Sequence, residues 1–151
     1  MDKKLKLAIA DDNLLHLKVI ELMARKSGLF ELIFVCHDGK ELVQLLDSST
    51  QLPDVCILDL HMPQMDGIKT ANLLRQKYPH IKLFGHSASE SVEEKKRFLD
   101  SGVNYIFSKH APMKMLKCIY HYTKLCENMD FSSDFEKKFN CKWNYINQLE
   151  R

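Results

Sequence analysis

The chain has 151 residues, which is enough for one domain with a sizeable buried core. Its 22 Lys and Arg against 20 Asp and Glu give a formal net charge of +2, which argues against a nucleic-acid-coating tail. No apolar run is long enough to span a membrane, the N-terminus does not resemble a secretory signal, and the five scattered cysteines favour a reduced, cytoplasmic compartment.

Five short apolar runs, each as long as a buried strand, alternate with segments of helical period. The runs are Leu5–Ala10, Leu32–Cys36, Val55–Leu58, Ile81–Gly85 and Val103–Phe107. This alternation predicts an α/β fold in which helices cover both faces of a five-stranded parallel sheet, a doubly wound architecture. Functional sites in such sheets lie at the carboxyl ends of the strands.

The fourth helical segment, Ser91–Asp100, is the least apolar of the five. Its only large apolar residues are Val92, Phe98 and Leu99. A segment with few buried contacts needs little free energy to move, so we expect this helix to be the most easily displaced.

Residues 127–151 follow the five-fold alternation and predict an extra C-terminal helix. Ser133 and Glu136 form a capping-box pattern before an apolar stripe that consists of Phe135, Phe139, Trp143, Ile146 and Leu149. The helix either packs on its own domain, which we favour, or docks a second copy or a partner. We therefore divide the chain into a domain over 4–126 and a helical extension over 127–151.

Chemically active side chains lie at or directly after the strand ends. Asp11 and Asp12 follow the first run, Asp59 the third, Ser87 the fourth and Lys109 the fifth. In a parallel sheet these side chains converge on one edge. Two carboxylates 4 Å apart repel by about 4 kcal/mol at an effective dielectric constant near 20, so the cluster needs a counter-charge. Lys109 supplies one, and oxygen ligands with open positions suit Mg²⁺.

A carboxylate beside Mg²⁺, a lysine and a hydroxyl is suited to accepting a phosphoryl group. The cation and the lysine neutralise the oxygens of the transferred group, and the carboxylate is the in-line nucleophile. Taken singly, adjacent aspartates commonly cap a helix and a lone lysine is commonly a surface residue. Their joint placement at four strand ends favours the phosphoryl-acceptor interpretation.

Four stretches of the chain resemble the receiver domain of bacterial two-component response regulators. They are Leu7–Asp12, Val55–Gly67 with its Asp-Leu-His-Met-Pro-Gln-Met-Asp-Gly block, Gly85–Ala88 and Gly102–Lys109. The resemblance covers about residues 4–126. It implies a flavodoxin-like sheet with strand order 2-1-3-4-5 and a soluble signalling role.

The resemblance also implies a role for each matched residue. Asp59 is the phosphoacceptor, Ser87 hydrogen-bonds the phosphoryl group, and Lys109 pairs with a phosphoryl oxygen. The implied Mg²⁺ ligands, besides Asp59, are Asp12 directly, Asp11 mainly through water, and the backbone carbonyl of His61.

Three positions depart from the usual receiver pattern. Ile106, with Tyr105 beside it, stands where the family usually has a switch aromatic. His110 follows the lysine at a position where the family usually has a proline with a cis peptide bond. We therefore expect either a trans peptide bond or a strained loop at this position. His61 places an imidazole where a side chain screens or admits water.

The run Lys109–Ile119 resembles receivers of LuxR-type (NarL/FixJ) regulators, which continue into a DNA-binding domain. We expect a receiver that takes a phosphoryl group from a sensor histidine kinase or a histidine phosphotransfer protein, loses it slowly, and is otherwise not an enzyme. We expect phosphorylation to change the conformation of the surface formed by the fourth helix, the fifth strand and the fifth helix. Either this surface or the C-terminal helix offers a contact for a homodimer. We expect no nucleic-acid contact within this chain. The alternatives are a fragment of a DNA-binding regulator and a phosphorylation-independent interaction module.

Overall fold

The computed structural model describes residues 3–128, which form five strands and five helices in strict alternation. The elements are β1 (Leu5–Ala10), α1 (Leu14–Ser27), β2 (Phe30–Cys36), α2 (Gly39–Ser48), β3 (Val55–Asp59), α3 (Gly67–Lys77), β4 (Lys82–Ser87), α4 (Val92–Asp100), β5 (Tyr105–Ser108) and α5 (Pro112–Glu127). All strand pairs are parallel, and the order is β2-β1-β3-β4-β5. This confirms the predicted fold class and strand order.

Strand boundaries differ from the sequence-based expectation at both edges of the sheet: β2 begins two residues earlier than predicted and β5 begins two residues later. β3 includes Asp59 and β4 extends to Ser87, because Asp59 pairs with His86 and Ser87 pairs with Ser108. The phosphoacceptor candidate is therefore the last residue of a strand and not the first residue of a loop. α5 ends at Glu127, one residue past the predicted boundary, and the predicted C-terminal helix lies outside the described residues.

Two apolar clusters cover the two faces of the sheet. The first cluster lies under α1 and α5 and includes Ile9, Ile57 and Phe84 from the strands. The second cluster lies under α2, α3 and α4 and includes the alternate strand residues, such as Leu58 and Leu83. This division follows from the two-residue period of a strand, which sends successive side chains to opposite faces. The same period determines which side chains meet at the functional edge.

α4 is the most weakly packed helix of the described chain, as the sequence predicted. Phe98 is its only buried residue, and Val92 is 79% exposed. Gly85 of β4 allows Phe98 to approach the sheet, because a Cβ atom at that position would lie 2.7 Å from the Phe98 ring. A helix held by one large anchor can shift at low cost in free energy.

Within residues 3–128, no helix has the length and apolarity that a membrane crossing requires.

Candidate functional site: an acidic cluster with a buried lysine

Three carboxylates meet at the carboxyl edge of the sheet. One oxygen from each of Asp11, Asp12 and Asp59 lies within 4.8 Å of the others. Asp11 and Asp59 are buried, at 1% and 6% exposure, whereas Asp12 is exposed. The cluster therefore has an inner pair of carboxylates and one carboxylate that faces solvent.

Lys109 forms ion pairs with both carboxylates of the inner pair. Its Nζ lies 3.1 Å from Asp11 Oδ2 and 3.2 Å from Asp59 Oδ2, and its side chain is only 9% exposed. Lys109 follows β5 directly, and its side chain reaches past β4 to the carboxylates at the ends of β3 and β1. Because most of the lysine side chain is shielded from solvent, these ion pairs are screened less than surface pairs.

One positive charge does not balance the cluster. Burial, together with the negative charge of Asp11, raises the pKa of Asp59 to about 7, and Lys109 opposes this rise only in part. The Asp59 carboxyl therefore holds its proton well above the ordinary range of an aspartate. A bound cation would favour the ionised form, since an opposite charge nearby lowers a carboxyl pKa.

Local backbone structure fixes the positions of these carboxylates. The Asn13 backbone N–H donates to Asp11 Oδ1 at 2.9 Å, and the Asn13 side chain accepts hydrogen bonds from the first turn of α1. After β3, Gly67 lies so close to the Asp59 carbonyl that a Cβ atom would overlap it. In the loop between β3 and α3, Gln64 has a φ of 65°, which is uncommon for a residue other than glycine.

Ser87 lies at the same sheet edge, and a chain of hydrogen bonds connects it to the loop after β3. Its Oγ accepts from the Ser89 backbone N–H at 3.0 Å, and Ser89 Oγ donates to Glu94 Oε2 at 2.6 Å. The Nε2 atom of His61 lies 3.2 Å from the same Glu94 oxygen. These two hydrogen bonds lower the pKa of Glu94. The His61 ring is 68% exposed and lies against α4.

The unusual positions of the receiver pattern have definite conformations. The described residues contain no cis peptide bond, so the bond between Lys109 and His110 is trans. Ile106 packs against the second cluster and Tyr105 against the first. Tyr105 therefore does not replace the switch aromatic, because it lies on the face of β5 opposite Ile106.

Two histidines at the site were missed by the sequence analysis. His16 of α1 accepts a hydrogen bond from Lys109 Nζ at its Nδ1, at 3.1 Å. His86 of β4 is 2% exposed, and its ring lies 6.3 Å from that of His16. The available signal was the position of His86, directly after the run Ile81–Gly85 and directly before Ser87. His16 carries no such signal, since a polar residue in an amphipathic helix is ordinary.

Comparison with known proteins identifies the family. The model of the response regulator receiver domain matches residues 7–120. The chain belongs to this family. Receiver domains partner with histidine kinases or phosphotransfer proteins.

Individual relatives are distant. The chain is 30% identical over 118 residues to hybrid signal transduction histidine kinase H of Dictyostelium discoideum, a match that covers 74% of this chain and 8% of that protein. It is 28% identical over 82 residues to the transcriptional regulatory protein DegU of Brevibacillus brevis, covering 54% and 34% of the two chains. The chain thus spans well under two thirds of the length of these curated relatives.

Solved structures support the fold. The signal receiver domain of the response regulator NarL from Mycobacterium tuberculosis superimposes with a TM-score of 0.75 at 23% sequence identity, covering 82% of this chain and 98% of that one. At this identity the likeness establishes the receiver fold, which has CheY-like and LuxR-family members among the neighbours.

Proposed function

We propose that this receiver domain accepts a phosphoryl group on Asp59, from a histidine kinase or a histidine phosphotransfer protein, in a reaction that requires Mg²⁺. The observation that carries the proposal is the position of Lys109 Nζ, 3.1 Å from Asp11 and 3.2 Å from Asp59, two carboxylates that form a cluster with Asp12. A buried ammonium between carboxylates is suited to hold an anion that arrives on one of them.

The donor set of the acidic cluster fits Mg²⁺. The carboxylates of Asp11, Asp12 and Asp59 offer only oxygen ligands, and we propose the backbone carbonyl of His61, two residues after Asp59, as a further one. Burial and the negative charge of Asp11 raise the pKa of Asp59 to about 7, and a bound cation would favour its ionised form. When bound, Mg²⁺ supplies charge neutralisation for the oxygens of the transferred group.

The side chains of this chain have distinct roles in the transfer. An ionised Asp59 oxygen attacks phosphorus in line, forming an acyl phosphate as the bond from phosphorus to the donor breaks. Lys109 then pairs with a phosphoryl oxygen. Ser87 Oγ already accepts from Ser89, which leaves its own O–H free to donate to the phosphoryl group.

The proposed output is a change at the surface of α4, β5 and α5. α4 supports it, since its single buried residue makes the helix easy to move. We also propose that the protein forms a homodimer through this surface or through the C-terminal extension. The proposed setting is the bacterial cytoplasm, and we propose no contact with nucleic acid within this chain. We also propose that the domain is not an enzyme, apart from slow loss of its own phosphoryl group.

A second candidate is that the chain is part of a DNA-binding transcriptional regulator. The likeness to DegU and to LuxR-family structures favours it. The sequence of the gene beyond Arg151 distinguishes the two, because a helix-turn-helix domain would follow.

Intact-mass measurement with acetyl phosphate and Mg²⁺ tests the main proposal. The wild type should gain one phosphoryl group, and Asp59→Ala should gain none. Asp100→Ala, which removes an exposed carboxylate at the end of α4, serves as the control and should be labelled normally. Equal labelling of Asp59→Ala would refute the site, and an unlabelled wild type would favour the phosphorylation-independent interaction module.

A further inference from the structure

His86 is an unusual residue for the interior of a strand. It is 2% exposed, and neither ring nitrogen has a hydrogen-bond partner. Burying an unpaired polar group costs stability, whereas an apolar residue of similar size at this position would cost none. A buried imidazole without a hydrogen-bond partner in one state of a protein can be explained if it gains a partner in another state.

The strand register places His86 beneath the path of Lys109. His86 pairs with Asp59 of β3 on one side and with Phe107 of β5 on the other. By the two-residue period of a strand, His86 lies on the same face of β4 as Phe84, which belongs to the first cluster. Lys109 follows β5 and its Nζ reaches Asp59 of β3, on the other side of β4, so its charge acts on the His86 ring. Burial and the lysine charge lower the pKa of His86 to about 4, so its ring is neutral at physiological pH.

The ammonium of Lys109 is engaged away from His86 in the structure. Its Nζ donates to Asp11 Oδ2 at 3.1 Å and to His16 Nδ1 at 3.1 Å, and it forms an ion pair with Asp59 Oδ2 at 3.2 Å. The two carboxylates are those that the proposed function assigns to the cation and the phosphoryl group. Once these oxygens are engaged elsewhere, Lys109 needs a replacement acceptor, and little water reaches a side chain that is 9% exposed.

We propose that His86 is a positioning residue for Lys109: a neutral ring nitrogen of His86 accepts an ammonium hydrogen when the carboxylate oxygens of Asp11 and Asp59 are engaged. His16 and His86 then hold the ammonium from two sides and leave one hydrogen for the phosphoryl oxygen. The phosphoryl part of this inference rests on the proposed phosphoryl transfer to Asp59, and the response to the cation rests on the proposed Mg²⁺ site.

A paired change in stability and rate distinguishes positioning from packing. His86→Leu removes the unpaired ring, so the melting temperature of the metal-free protein should rise by a few degrees. The rate constant for phosphorylation by saturating acetyl phosphate should nevertheless fall about ten-fold, as expected for a lost hydrogen bond to a charged group. A purely structural residue would lower both quantities, and that result would overturn the proposal.

Conservative variants identify the nitrogen. His86→Asn offers an oxygen near the position of Nδ1, and His86→Gln offers one near Nε2. One of the two should recover most of the lost rate. If both behave like His86→Leu, the acceptor role is refuted.

The His86 ring itself provides a readout that needs no phosphorylation. In ¹⁵N spectra of the imidazole groups, the resonance of one His86 ring nitrogen should move in the direction of an accepted hydrogen bond when Mg²⁺ is added, and further when beryllium fluoride follows. The Mg²⁺-induced movement should vanish in Lys109→Gln. A His86 resonance that ignores Mg²⁺ in the wild type, or that still moves in Lys109→Gln, would refute the proposal.

A double-mutant cycle completes the test. In the Lys109→Gln background, His86→Leu should have no further effect on the phosphorylation rate, because the residue acts through the lysine. An undiminished ten-fold effect in that background would overturn the proposal. If the wild type takes no phosphoryl group at all, the proposed function fails, and the Mg²⁺ response of the ring still decides the role of His86.

Discussion

Removing the charge of Asp59 should stabilise the metal-free protein. Asp59 is buried beside Asp11, and both effects oppose its ionisation. The variant Asp59→Asn keeps the shape of the side chain and an oxygen that can accept from Lys109 Nζ. It removes only the charge that the native structure disfavours.

The shift in pKa determines the size and the pH range of this effect. A pKa that rises from 3.8 to about 7 on folding corresponds to a ceiling of about 4 kcal/mol. Between these values the native state binds more protons than the unfolded state, so the stability of the wild type should fall as the pH rises from 4 to 7. Asp59→Asn lacks this group and should show a flatter profile.

Urea unfolding in EDTA at several pH values measures the difference. We expect Asp59→Asn to have a higher free energy of unfolding than the wild type, and this difference should be about 2 kcal/mol larger at pH 8 than at pH 5. That increase is equivalent to about 4–8 °C in melting temperature. Glu31→Gln, at an exposed position of β2, removes a charge outside the cluster and should show no such dependence. Parallel pH profiles for wild type and Asp59→Asn would refute the argument that the ionised carboxylate of Asp59 destabilises the folded protein.

Two further predictions concern the cation and the lifetime of the acyl phosphate. Asp12→Ala should weaken Mg²⁺ binding in calorimetric titration, with a smaller rise in metal-free melting temperature than Asp59→Asn because Asp12 is exposed; an unchanged titration would count against Asp12 as a direct ligand. His61→Ala should change the decay rate of the acyl phosphate, because it removes the contact between His61 Nε2 and Glu94 that connects the loop after β3 to α4. Identical decay rates for wild type and His61→Ala would show that only the His61 carbonyl matters.

The main features of the fold were accessible from the sequence because each rests on a local pattern. β1 was predicted with its observed bounds, since its apolar run is flanked by charged residues on both sides. The weak packing of α4 followed from its composition, and Phe98 is indeed its only buried residue. Strand ends were less accurate, because the pairing of Asp59 with His86 depends on a neighbouring strand.

The candidate site divides in the same way. The sequence by itself determined which residue types end the strands, and a parallel sheet brings Asp11, Asp59 and Lys109 together wherever such ends coincide. Only the tertiary structure decided which partners surround the lysine. Whether His86 lies beside Lys109 depends on strand order and register, and whether His16 reaches it depends on how α1 packs on the sheet. These are long-range relations between residues far apart in the chain, and no local pattern of apolar and polar residues records them.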